Sequence, residues 1–303
     1  MWFWFSLLAL LCWSGSDLFS KIGCRDGEDS LSHLKMLTAV GAVMGLHALY
    51  GIFISGTEIS LEIILRYLPV SGLYILSMAI GYLGLRYIEL SVSTPVCNSS
   101  GAVVAVLITA TRGISEEVPP AALIAAGLVC AGVAGLGLVE SREDEDLRKA
   151  RQDEANFHYS KSALAILLPV IYCLLDALGT YADSIVLETL DEDSANTAYE
   201  LTFMAVGLIS LIYVSLIKKQ PYVIRAEGPK YLGALFETAG QFFYIYALAD
   251  TAHAALAAPV ISSYCVASML WGRLFLKEKL SKKHYLCIAP VIAGIIILGI
   301  LDI

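Results

Sequence analysis

The chain has 303 residues, of which 57% are hydrophobic and only 16% charged, with a formal net charge of −8. Soluble domains are closer to half apolar and a quarter charged, so this composition points to an integral membrane protein and away from a soluble enzyme. The acidic balance, with no basic patch carrying interleaved aromatics, argues against a nucleic-acid partner.

A hydrocarbon core of ~30 Å needs about 20 apolar residues per helix, which sets the window for reading spans. The first run, MWFWFSLLALLCWSGSDLFSKI, lacks a basic n-region and an A-x-A cleavage site, so it reads as a retained first span. Further runs are predicted at 33–55, 66–88, 91–111 and 118–139. They resume at 162–187, 196–217, 229–249, 252–275 and 284–302. Between the two sets lies the one long charged segment, SREDEDLRKARQDEANFHYSK, expected to be a solvated or interfacial cytoplasmic linker. The runs are continuous and do not alternate, which excludes strand spans. The expected fold is therefore an all-α integral membrane protein with ten transmembrane helices. The expected domains are a first five-helix half at 1–140, the linker at 141–161 and a second half at 162–303.

Alternate loops divide the basic residues unevenly: of the 20 Lys and Arg, all but Arg66 and Arg112 fall in one set. The positive-inside rule makes that set cytoplasmic and both termini external. The seven cysteines form no C-x-x-C pair and read as small packing residues, not as a disulfide framework or metal site.

The two halves repeat each other. Pro95-Val96 followed by Asn98 and Ser99 matches Pro259-Val260 followed by Ser262 and Ser263, while Glu116 and Gly132 match Glu278 and Gly294. An odd number of spans per half inverts the second copy, giving two inverted five-helix repeats with a substrate site expected at mid-membrane between them. A proline in a span frees a backbone carbonyl that hydroxyls, helices or water must satisfy. Pro95 and Pro259 are therefore expected to mark helix breaks near Ser99, Ser262 and Ser263; a packing kink without a ligand role is the alternative.

A W-x-G stretch in the first span (Trp13, Gly15, then Lys21), an A-P-V phrase (Ala258, Pro259, Val260), and an ending with Trp271, Phe275, Leu276, Glu278 and Leu280 complete the pattern. This pattern resembles the EamA-type carriers of the drug/metabolite transporter superfamily over the whole chain outside the linker. In the first half GISEEVPP replaces the L-x-E-x-L ending. The resemblance implies transport of small solutes such as amino acids, amines and metabolites, driven by protons or another gradient.

Ionisable residues inside spans are costly and face the interior or a cavity, so each is a candidate. Asp176 lies near mid-span and shares a helical stripe with Thr180 and Asp183. Glu237 is comparably deep, with Gln241 and Tyr244 one and two turns later on the same face. Asn98, Ser262 and Ser263 are candidate pocket donors. The alternative for each carboxylate is a buried packing role. Asp17 with Lys21 reads as an interfacial salt bridge at i, i+4, Glu200 with Thr197 as a helix-start capping box, and His47 as a hydrogen-bonded packing histidine. Ten aromatics (Trp13, Tyr74, Tyr82, Tyr172, Tyr181, Phe203, Phe243, Tyr244, Tyr264, Trp271) are cavity candidates, each with core or interfacial belt as the default.

These residues predict a secondary active transporter moving a small polar, amine or amino-acid-like metabolite across the cytoplasmic (inner) membrane by alternating access. A flippase for a lipid-linked or amphipathic substrate is the alternative on the same fold. An enzyme is disfavoured, since no G-x-S-x-G, H-E-x-x-H or phosphate-loop motif is present. No cofactor or metal is expected. The expected partners are a small-molecule substrate and membrane lipid, with a homodimer left open because glycines at 127, 132, 135 and 137 only permit close packing.

Overall fold

The computed structural model describes residues 1–24, 29–85, 90–113, 119–141, 163–276 and 280–301. The charged linker, and with it Glu116 and Glu278, lies outside these residues. Among the described residues every regular element is helical: α1 (Trp2–Cys24), α2 (Ser32–Tyr50), α3 (Leu61–Gly84), α4 (Leu90–Cys97), α5 (Ser100–Arg112) and α6 (Pro120–Ser141). The second set is α7 (Ala163–Val186), α8 (Glu192–Ile212), α9 (Ile224–Ala249), α10 (Ala254–Ser262), α11 (Tyr264–Phe275) and α12 (Lys282–Leu301). Seven of these helices or near-continuous helix pairs are long and apolar enough to cross a membrane. The chain is a multi-pass membrane protein.

The distribution of polarity explains why this sequence folds in lipid. Large apolar side chains such as Leu46, Phe53, Val106, Ile209 and Leu216 are exposed, while Ser16, Asn98, Asp183, Glu200 and Gln241 are buried. In a bilayer the apolar exterior meets hydrocarbon, so the helices associate through packing and interior polar contacts.

Helix boundaries follow local chemistry. Ser60 accepts from the Ile63 amide at the start of α3, and Asp191 accepts from the Ser194 amide at the start of α8. Both α2 and α8 end in a π-turn, Gly51–Ser55 and Tyr213–Ile217. After the first, Gly56 (φ 77°) ends the helix in the left-handed region that glycine adopts without strain. The expected capping box at Thr197–Glu200 is not formed: α8 begins a turn earlier, at Glu192, because Asp191 supplies the cap.

The breaks expected near Pro95 and Pro259 are present, but each falls three or more residues after its proline, at Asn98–Ser99 and at Ser263. Ser99 Oγ donates to the Pro95 carbonyl at 2.9 Å, and Ser263 Oγ donates to the Val260 carbonyl at 2.5 Å. Serine hydroxyls here take carbonyls that the next helical turn would have used, which moves the interruption towards the serines. The two broken spans cross where α5 meets α10, and a Cβ at Gly101 would run into Ser262 Oγ and the Ala258 carbonyl.

First-half helices pair mainly with second-half helices: α1 with α9, α2 with α8, α3 with α7, α5 with α10 and α6 with α12. The closest approaches are backbone to backbone. A Cβ at Gly41 would lie 2.7 Å from the Phe203 carbonyl and 2.8 Å from Gly207 Cα, and one at Gly207 would lie 2.9 Å from Gly41 Cα. At α6–α12 the contacts are reciprocal. Gly132 meets the Cys287 carbonyl and Val291, whereas Gly294 meets the Ala125 carbonyl and Val129.

Candidate functional site

The halves enclose a central cavity with about 970 Å³ of empty space, counting its open mouth. Trp13, Ser16 and Asp17 enter from α1, Tyr74, Met78 and Tyr82 from α3, and Asp176 with Thr180 from α7. Glu237, Gln241 and Tyr244 line the wall formed by α9, and the broken spans add Asn98, Ser262 and Tyr264. The described lining thus holds three carboxylates and no Lys, Arg or His.

Each carboxylate takes a hydroxyl. Ser100 Oγ donates to Asp176 Oδ2 at 2.6 Å, Ser268 Oγ to Asp17 Oδ2 at 2.8 Å, and Ser16 Oγ to Glu237 Oε2 at 2.7 Å. One hydroxyl leaves most of a carboxylate's acceptor capacity open, so each can still receive a donor from a bound molecule. Four further lining groups hold a polar atom that is buried without a hydrogen-bond partner: Trp13 Nε1, Asn98 Nδ2, Gln241 Nε2 and Tyr82 Oη. Buried polar groups are ordinarily paired, and an unpaired cluster facing a cavity calls for water or ligand.

Aromatic rings form much of the remaining wall. Trp13 lies 5.0 Å from Tyr244 and 5.9 Å from Tyr264, centroid to centroid, and Tyr74 packs edge-on against Tyr199 and Tyr244. Their seats are glycines: a Cβ at Gly240 would overlap the Trp13 ring, and one at Gly81 would fall 2.9 Å from the Tyr172 ring.

Both ends of the cavity are bounded by polar contacts. Towards the α3 N-terminus, Tyr67 Oη donates to Asp183 Oδ1 at 2.7 Å, Tyr74 Oη donates to Thr180 Oγ1 at 3.1 Å, and Tyr74 and Tyr244 share a hydroxyl–hydroxyl hydrogen bond. Outside that layer Arg66 donates to Thr189 Oγ1 and Arg112 pairs with Glu188 at 3.0 Å. At the opposite end Lys35 pairs with Asp29 at 2.7 Å and lies 3.6 Å from Glu227, which also holds Lys230 at 2.9 Å. Lys21 Nζ donates to the Leu85 carbonyl at 2.6 Å.

Of the sequence-predicted residues, Asp176, Glu237, Gln241, Thr180, Asn98, Ser262 and Tyr244 all line the cavity. Ser263 does not; its hydroxyl caps the end of α10, as do the backbone contacts of the break itself. Pro95 and Pro259 shape the broken spans without lining the space. Asp17 is a correction to the salt-bridge expectation: it belongs to the cavity wall and takes Ser268, while Lys21 reaches Leu85. Ser16, Ser100, Met78 and Tyr199 were not singled out from sequence, because a serine or methionine in a span carries no positional signal of its own. Of the ten aromatics, Tyr181, Phe203, Phe243 and Trp271 do not line the cavity. All seven cysteines are free. Among the described residues no cluster of His, Cys, Asp and Glu is arranged to hold a metal ion.

Glu200 and His47 form a separate polar contact. Glu200 is fully buried mid-helix, accepts from Asn196 Nδ2 at 3.1 Å, and meets His47 Nδ1 of α2 at 2.7 Å. The sequence separation of 153 residues hides this pair from any local pattern. Glu200→Ala would strand the buried Asn196 amide and remove the partner of the half-exposed His47, and is expected to destabilise the protein by about 1–3 kcal/mol. Glu200→Gln, which keeps an acceptor, should cost less. The thermal midpoint of detergent-solubilised protein checks the order; a midpoint for Glu200→Ala equal to wild type would contradict it.

The model of the EamA-like transporter family matches residues 163–300. A solved crystal structure aligns with a TM-score of 0.61 at 15% identity, covering 98% of this chain and 96% of that chain, which shows a shared fold. It is among 28 solved chains that match. No curated protein matches the sequence.

Proposed function

From the match of residues 163–300 to the EamA-like transporter family, consistent with an EamA-type member of the drug/metabolite transporter superfamily, we propose that this membrane transporter is a secondary carrier for a small cationic amine. The observation that carries the substrate class is the cavity lining, in which three carboxylates face the same space with no described basic side chain to neutralise them. Aromatic rings beside them suit an ammonium group through cation–π attraction. The open amide donors of Asn98 and Gln241 suit a hydroxyl or carbonyl elsewhere on the same molecule.

The architecture proposed is ten transmembrane helices in two inverted repeats, residues 1–140 and 162–303, joined by a cytoplasmic linker. Its support is that the helix pairing is unchanged when the halves are exchanged: α1–α9 becomes α7–α3, α5–α10 becomes α11–α4, and α2–α8 and α6–α12 map onto themselves. The α6–α12 contacts repeat residue by residue at a spacing of 162, with Ala125, Val129 and Gly132 answering to Cys287, Val291 and Gly294. In this reading the hydrogen-bonded tyrosine layer and the Lys35–Glu227–Lys230 network are closures at opposite ends. Transport proceeds by opening one and forming the other. Protons or a second solute exchange at the cavity carboxylates to drive the cycle in the cytoplasmic membrane.

The test is counterflow in proteoliposomes loaded with unlabelled amine, comparing a labelled primary amine with a neutral amide and a carboxylate of the same size. Exchange confined to the amine is the expected result. Exchange of the carboxylate or the amide in preference to it, or of a fluorescent phospholipid alone, would sink the amine reading and favour the anionic, neutral or flippase alternative respectively.

A further inference from the structure

Two of the three cavity carboxylates stand in equivalent surroundings. Asp17 on α1 has Trp13 one turn before it, and Asp176 on α7 has Tyr172 one turn before it. Both rings and both carboxylates line the cavity. Trp13 is seated on Gly240 of α9, and Tyr172 on Gly81 of α3. Asp17 and Asp176, Trp13 and Tyr172, and Gly81 and Gly240 are all separated by the same 159 positions. Each carboxylate also receives one hydroxyl from a broken span of the other half, Ser268 to Asp17 and Ser100 to Asp176. The cavity therefore contains the same small constellation twice: an acid, an aromatic face one helical turn away, and a serine holding one carboxylate oxygen.

An acid beside an aromatic face is the chemistry that receives an ammonium group, by charge pairing and by attraction to the ring quadrupole. A single ammonium occupies only one such pair and leaves the other buried carboxylate without a counter-charge, a costly arrangement. A molecule with an ammonium at each end satisfies both. Between the ends, the buried and unpartnered Asn98, Gln241 and Tyr82 polar groups mark the wall as built for something beyond its own side chains.

We propose that the cavity is a two-headed site that selects an aliphatic diamine, one ammonium at Asp17 and Trp13, the other at Asp176 and Tyr172. This rests on the amine-carrier reading and narrows it. Glu237 has no equivalent in the other half, since the position 159 before it is Met78. It is the third carboxylate and lies on the Asp17 side of the cavity, held by Ser16, the neighbour of Asp17.

The test is a direct binding titration of the purified full chain with butylamine, with the four-carbon diamine, and with a series of diamines of increasing length. The expected result is that one diamine length binds about tenfold or more tightly than butylamine, the margin of a second close charge pair. Affinity should fall for shorter and longer members. Asp17→Asn and Asp176→Asn should each bring the diamine down to within a few-fold of the monoamine. Equal affinity for the diamine and butylamine in the wild type, or a flat dependence on length, overturns the diamine site while leaving the amine carrier intact. Binding of neither amine overturns both readings. The wild-type comparison stands even where a variant fails to fold, and Asp17→Glu, which keeps the charge, should retain the preference for two charges.

Discussion

Asp176→Asn is expected to lower the affinity for a cationic amine by roughly 30-fold or more, because removing one partner of a buried, hydrogen-bonded charge pair costs about 2–5 kcal/mol. The substitution keeps the shape of the side chain and an acceptor for Ser100, whose hydroxyl donates to Asp176 at 2.6 Å. Folding should therefore be little affected, and the loss should fall on ligand binding. Ser100→Ala makes the useful contrast. It removes the hydroxyl and leaves the charge, so its effect should be several-fold smaller. Calorimetric or fluorescence titration of the two variants beside wild type separates the roles. Unchanged amine affinity in Asp176→Asn would remove this residue from the site and leave Asp17 and Glu237 as the charges to examine.

Gly41→Leu is expected to prevent stable folding, and Gly41→Ala to cost about 1–3 kcal/mol, the usual range for overpacking. The reason is geometric. The space beside Gly41 is occupied by the Phe203 carbonyl and the Gly207 backbone, neither of which can turn aside as a flexible side chain would. Gly207→Ala should cost a similar amount. Because both substitutions push the same two helices apart, the double variant should cost less than the sum of the singles. The thermal midpoint and the monodisperse fraction in detergent read this out. Additive losses would mean that the two glycines do not share one contact. Gly127 gives the control: no atom lies near its absent side chain, so Gly127→Ala should be neutral.

The deep carboxylates were legible in the sequence because charge inside an apolar run is rare and carries its own explanation. Asp176 and Glu237, with Thr180, Gln241 and Tyr244 at helical spacing, are brought to one cavity as that spacing implied. Helix extents were also close, but α3 and α9 each start five residues before the expected 66 and 229, and α8 starts at Glu192 where 196 was expected, because Asp191 caps it. Where sequence reasoning failed, a partner from the other half was decisive. Asp17 looked like half of an i, i+4 pair with Lys21, yet Ser268 holds it, 251 residues away. Glu200 fitted a capping pattern with Thr197, yet it meets His47 of α2. Local patterns propose local partners, and in a structure whose main contacts all run between halves such proposals are the ones most often overridden. The prolines show a milder version. They marked the correct spans, but the serines after them decided where the helices stop.

Met78 and Glu237 bear on how the protein behaves at rest. If transport exchanges the roles of the two halves, a chain with identical halves would occupy its two end states equally, and neither side of the membrane would be preferred. Trp13 and Tyr172, Asp17 and Asp176, Gly81 and Gly240 keep to that equivalence, whereas a thioether on one side answers to a carboxylate on the other. Exchanging the halves carries Glu237 into a different environment with no compensating move by Met78, so the change in solvation of this acid contributes to a free-energy difference between the two states. The resting orientation of the empty protein, and hence the side from which it first accepts cargo, would then depend on such unequal pairs: Met78 with Glu237 and, at the same spacing, Tyr82 with Gln241 and Leu85 with Tyr244.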